Sequence, residues 1–106
     1  MWRGWTSAQN AEAYERFLTE ELFPQTGKEL SEKGYRGYHV LRQDKGDQVE
    51  FVTMVWFESL RDVKAFAGDN YELPVIHSQA KGLLSHYQER CEHFELRAAR
   101  KVVQQF

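Results

Sequence analysis

The residues of this chain that could do chemistry are four histidines, five tyrosines, three tryptophans and one cysteine. His77 closes a loop, Asp69 to His77, that also holds Pro74. An imidazole there is a candidate general base or axial ligand at a pocket mouth; the plainer reading is an exposed loop histidine. Tyr38 and His39 are neighbours in a strand-like segment, so they face opposite sides and one of them faces a helix-side pocket. A hydroxyl or imidazole in that place can orient a phenol or take its proton, although a core Tyr bonded to backbone is the simpler account. Cys91, His93 and Glu95 alternate along a second strand-like segment. Successive residues on one strand face lie about 7 Å apart, too far for one ion without a bend, so no metal is expected. Trp5, Trp56, Phe66 and Tyr71, with Trp2, Phe51 and Phe57, could line a pocket for a flat apolar ligand, or simply pack. No phosphate loop, Ser-His-Asp set or CxxC pair occurs.

The elements that must position these groups follow from periodicity. Val49 to Phe57 is a run rich in β-branched and aromatic residues and reads as a strand. Phe51, Thr53, Val55 and Phe57 point one way, while Val52, Met54 and Trp56 point the other. A strand apolar on both faces needs two covers. Ahead of it, residues 35 to 43 read as a strand, joined by a turn at Asp44–Asp47. Residues 2 to 6 read as a first strand. Thr6 with Gln9 has capping-box spacing, and a helix is expected from about Ala8. Tyr14, Phe17, Leu18 and Leu22 form its apolar stripe. Pro24 is expected to kink or end it, with helix resuming over Lys28 to Lys33 and Gly34 as C-cap. Ser59 caps a second helix whose buried face is Leu60, Val63, Phe66 and Ala67, ending at Gly68. Ser78 to Leu84 is expected to add a short helical segment, and Ser85 to Arg97 a fourth strand.

The order strand, helix, strand, strand, helix, strand predicts an α+β, ferredoxin-like βαββαβ fold with a four-stranded antiparallel sheet and both helices on one face. Residues 1–97 form one domain on this reading, and 98–106 a C-terminal tail. The bare face carries Val52, Met54 and Trp56, so a second copy of the chain is the economical cover: a homodimer through the sheet face. Net charge is −2 with no basic stripe, which argues against nucleic acid. No apolar run is long enough for a membrane span, and the opening residues lack a signal-peptide pattern. A single cysteine forms no internal disulfide, so the cytoplasm is the expected compartment.

Five segments together carry a family resemblance: WRGWT, AYERFL, GYRGYHVLR, EFVTMVWFESLRDVKAFAG and HFEL. They are similar to the antibiotic biosynthesis monooxygenase-like domains of the dimeric α+β barrel superfamily, over most of the chain up to about Leu96. The resemblance implies a homodimer whose sheets close into a barrel, with a pocket between sheet and helices in each protomer. Members include cofactor-independent oxygenases of polycyclic phenols, haem-degrading oxygenases, muconolactone-type isomerases and proteins with no assigned reaction. The haem-degrading members use an Asn near the end of strand one, a Trp on the second helix and a His about ten residues later. Here Thr6 follows Trp5, Phe66 stands at the helix position, and only His77 lies near its place. Haem breakdown is therefore not expected. Trp56 and Tyr71 are the analogues of the groups that hold a phenol in the polyketide oxygenases.

The expected function is that of a small cofactor-independent monooxygenase, or related enzyme, acting on an aromatic or phenolic compound. Such chemistry uses the substrate's own phenolate to reduce dioxygen. His77, His39 and Tyr38 are its candidate catalytic groups; Trp5, Trp56, Phe66 and Tyr71 are its candidate substrate contacts. The alternative is a non-catalytic, ligand-binding or stress-related homodimer. A ligand-sized pocket lined by His or Tyr favours the enzyme, and a filled interior favours the alternative.

Overall fold

A computed structural model describes residues 1–100. Four strands, β1 (Trp2–Ser7), β2 (Tyr35–Lys45), β3 (Gln48–Phe57) and β4 (Leu84–Tyr87), form one antiparallel sheet in the order β2-β3-β1-β4. This α+β arrangement is compatible with a ferredoxin-like fold. The helices are α1 (Ala11–Arg16), α2 (Phe23–Leu30), α3 (Leu60–Ala67) and α4 (Ser78–Leu83). None of the described helices is long and apolar enough to cross a membrane.

β2 and β3 meet in a two-residue turn, tighter than the four residues expected, because Lys45 pairs with Gln48. Gly46 has φ +74° while Asp47 keeps a negative φ, the pattern of a II′ turn, whose twist matches the strands it joins. Register puts Phe51, Thr53, Val55 and Phe57 on the helix side of β3 and Val52, Met54 and Trp56 on the other. The core lies where Tyr14, Phe17, Leu18 and Phe23 meet Val49 and Phe51, with Ala80 of α4 beside them. Arg42 of β2 fastens α1 to the sheet: its guanidinium donates to Glu12 at 2.7 Å and to Glu15 at 3.2 Å.

Four expectations are corrected. Pro24 does not break the first helix. A π-helical turn, Phe17–Leu22, joins α1 to α2, and the Phe23 N–H donates to the Leu18 carbonyl, five residues back. In a regular α-helix the Pro24 ring would strike the Glu20 carbonyl, so the widened turn lies where the proline needs it. The Thr6–Gln9 capping box does not form. Thr6 is a buried β1 residue, and the helix starts at Ala11, after Ser7 Oγ has accepted from the Asn10 N–H. The fourth strand spans four residues instead of thirteen, because its neighbour β1 offers only six. Beyond Tyr87 the chain follows β1 through isolated bonds, Gln88 N–H to the Arg3 carbonyl and Glu92 N–H to the Met1 carbonyl. Finally, no residue of α3 is buried; Phe66 is 42% exposed and Leu60 50%. That helix stands off the sheet over a void, described below. Of the expected C-terminal tail, Ala98–Arg100 have no regular structure, and residues 101–106 lie outside the described residues.

α3 is held by its entrance. Ser59 Oγ accepts from the Asp62 N–H at 3.3 Å and donates to the Asp62 carboxylate at 2.9 Å. That carboxylate lies against Gly34, which has φ +80°, and a Cβ at Gly34 would collide with it. Gly34→Ala therefore forces a strained backbone and displaces the cap, together worth about 1–3 kcal/mol. Thermal unfolding followed by circular dichroism should show Tm lowered by about 5–15 °C. An unchanged Tm would refute this account of the α3 entrance.

Candidate active site

Between the helix layer and the later half of β3 lies a cavity of about 640 Å³. It exists because the two helical covers meet the sheet unequally. The α1–α2 layer packs down onto Val49 and Phe51, whereas α3 touches β3 mainly through Phe66 against Phe57, with ring centroids 5.7 Å apart. Thr53, Val55 and Phe57 form the floor. Phe17, Leu18, Leu22 and Phe23 form one wall; Val63, Phe66 and Ala67 form the other. The loop after α3, with Leu73 and Pro74, closes one side. The volume is that of a small-molecule site, and the lining is mostly apolar.

The polar groups on the lining include the hydroxyls of Tyr14 and Tyr71, the imidazoles of His77 and His93, and the carboxylates of Glu21 and Glu29. Tyr14 of α1 is only 1% exposed, and its ring meets Phe51 edge-on at 5.0 Å. Its hydroxyl has no hydrogen-bond partner among the described residues, and burial pushes its pKa up to about 12. Thr6 Oγ1 is the one fully enclosed side-chain polar atom without a partner among those residues, and Tyr14 lines the cavity. His77 lines the cavity as the N-cap of α4, its Nδ1 accepting from the Gln79 N–H at 3.1 Å. Neutral His77 thus carries its proton on Nε2 and is a donor toward its surroundings. His93 also lines the cavity, its Nε2 2.7 Å from the Tyr71 carbonyl. Only an N–H can bond a carbonyl, so the neutral ring keeps a lone pair on Nδ1. Cys91 lines the same side, and burial raises its thiol pKa.

The structure divides the residues singled out from sequence. Phe66, Tyr71 and His77 are brought together on the cavity. Tyr38 does face the helix side, but it stacks on Phe23 at 4.4 Å and lies off the lining. His39, Trp56 and Trp5 lie on the opposite face of the sheet, because strand alternation sends them there. On that face Trp56 Nε1 donates to His39 Nδ1 at 2.6 Å, and Trp5 stacks on His86 at 4.3 Å. A ligand in the cavity cannot reach those three. Among the described residues no group of three or more His, Cys, Asp or Glu is placed to hold a metal ion, and Cys91 and His93 share the cavity without Glu95.

Sequence reasoning missed Tyr14, Cys91 and His93 as cavity residues. Tyr14 looked like one member of an apolar stripe, and its only signal was a hydroxyl at a position otherwise filled by hydrocarbon. Cys91 and His93 were weighed only as metal ligands.

No family model matches the chain, and no curated protein or solved structure is significantly similar to it. What the fold and site define is a class: an α+β protein with a four-stranded antiparallel sheet, compatible with a ferredoxin-like fold, and a largely apolar cavity under its helices.

The Tyr14 hydroxyl has a consequence in alkali. Unfolded, it ionises near the ordinary 10; folded, near 12. The folded state holds the proton more tightly, so this contribution to stability is complete below about pH 10 and is lost as pH rises toward 12. The full effect is about 2–3 kcal/mol. Chemical denaturation across that range should show wild-type stability falling more steeply than that of Tyr14→Phe. Tyrosinate absorbance of the folded protein should lose its last-titrating component in the same variant. Parallel stability curves for the two proteins would contradict the burial of this hydroxyl.

Proposed function

We propose that the cavity binds a flat aromatic compound bearing a phenolic oxygen, and that the protein is a cofactor-independent oxygenase of the antibiotic biosynthesis monooxygenase-like type. The observation that carries this is the cavity itself: ligand-sized, walled by Phe17, Phe57 and Phe66, with Tyr14, His77 and His93 among its polar groups. Apolar walls supply affinity through buried area, while a few polar groups set orientation.

His93 Nδ1 takes the phenol proton, because its Nε2 is already committed to the Tyr71 carbonyl. His77 cannot serve in that way while its Nδ1 caps α4; its Nε2–H instead donates to the ligand's oxygen. The phenolate gives one electron to dioxygen. The resulting radical and superoxide join at the para carbon, and the hydroperoxide loses water. The sum is one phenol and one dioxygen to one quinone and one water. The protein contributes binding, deprotonation and exclusion of solvent. Oxygen-electrode measurements over a panel of polycyclic phenols should find a substrate consumed with one dioxygen per quinone. His93→Ala should slow that turnover about 10²-fold with little change in Tm. Failure of every phenol to turn over would leave the second reading, a non-catalytic ligand-binding dimer, favoured by the commitment of His77 to its helix cap.

The same reading makes the protein a homodimer closed through the bare sheet face. Met54 and Trp56 are partly exposed there and Leu41 is 46% exposed, apolar groups set beside His39 and the Arg3–Glu50 ion pair, while Val52 of the same face is already buried within one chain. His39 and Trp5 then belong to the seam. The free thiol of Cys91 suits the reducing cytoplasm. Met54→Asp should convert dimer into monomer or aggregate by light scattering; a wild type that is monomeric at micromolar concentration would remove the dimer from the proposal.

A further inference from the structure

Among the polar groups on the cavity lining, Tyr14 pairs near-complete burial with a hydroxyl that has no structural task. His77 caps a helix and His93 bonds a carbonyl. The Tyr14 hydroxyl bonds no described residue, although the side chain is 1% exposed. A hydroxyl on the cavity lining without a protein partner is free to bond a molecule seated there. Its buried neighbours, Ala11, Phe17, Leu18, Phe23 and Phe51, are hydrocarbon and offer it no alternative partner. The ring is also fixed. It is held edge-on against Phe51, so the hydroxyl cannot swing away to find a partner elsewhere.

We propose that Tyr14 is the polar anchor of the cavity and selects an aromatic ligand by a ring oxygen that carries no proton, a ketone or the corresponding phenolate, which accepts from the Tyr14 hydroxyl. This rests on the reading of the cavity as a ligand site. The choice of acceptor follows from the surroundings. A protonated phenol brings its own O–H, which must be satisfied in turn, whereas the side chains buried around Tyr14 are hydrocarbon. A carbonyl needs only one donor, and Tyr14 is one. Burial keeps the hydroxyl protonated throughout the neutral range, so the donor is always present. Polycyclic phenols that exist as keto tautomers meet this requirement and the oxygenation chemistry together.

The test compares two probes of one shape, 9-fluorenone and fluorene, which differ in a carbonyl against a methylene. Equilibrium dialysis with the wild-type protein should show fluorenone bound about tenfold more tightly. Tyr14→Phe should bring the two to parity by weakening fluorenone alone, with Tm at neutral pH unchanged or slightly raised. Tyr87→Phe, which alters a phenol off the cavity lining, should leave the preference intact. Fluorene bound as tightly as fluorenone by wild type, or a preference that survives Tyr14→Phe, overturns the anchor while leaving the cavity a binding site. Binding of neither probe removes the cavity reading as well.

Discussion

The contact between Phe51 and the first helix decides the shape of the interior. Phe51 is wholly buried; the Tyr14 ring meets it edge-on at 5.0 Å, and the Arg42 guanidinium lies 5.7 Å from its centroid on the way to Glu12 and Glu15. Apolar burial, an aromatic edge contact and a charge network thus coincide at one point of β3. The helix layer is drawn down onto the sheet there. Six residues further along, at Phe57, no comparable clamp exists, and α3 stands off with none of its residues buried. A close-packed interior would leave no such gap. The cavity is what remains when one end of a sheet is closed and the other is only roofed.

The π-helical turn belongs to the same constraint. Phe17 and Leu18 stand at its start, both in the core and both on the cavity wall. Widening the helix here lets Pro24 follow without a clash and carries the helix on to Leu30. The chain therefore spans the length of the sheet before turning back into β2. Had the helix ended at Pro24, Phe23 and Leu30 would not both be buried against the sheet. The wall of the cavity that faces α3 would then be shorter.

Local rules with short reach were legible in the sequence. The two faces of β3, the β2–β3 hairpin, the Ser59 cap and the end of α3 at Gly68 each depend on residues within a few positions of one another. The illegible features depend on distant partners. The length of β4 is set by β1, some eighty residues earlier in the chain, which alternation within Ser85–Arg97 does not report. The exposure of α3 is set by how far a neighbouring helix holds the layers apart, so an amphipathic pattern that predicts burial marks a cavity wall instead. Pro24 was misleading because proline forbids a regular α-helix and says nothing about a wider one.

The candidate site shows the same division more sharply. His77 was legible as a polar residue in a Pro-containing loop, and it does reach the cavity. Its chemistry was not legible, because which ring nitrogen is free depends on a backbone N–H two residues on. His93 carries the same tautomer but spends its Nε2–H on the carbonyl of Tyr71, twenty-two positions away in sequence, which leaves Nδ1 free. Two histidines on one cavity are thereby given opposite capacities, one a donor and one an acceptor, without any difference in residue type. Tyr14 completes the set as a fixed donor. Composition carries none of that information; for these three residues it appears only when each ring nitrogen and hydroxyl is traced to its partner or to the lack of one.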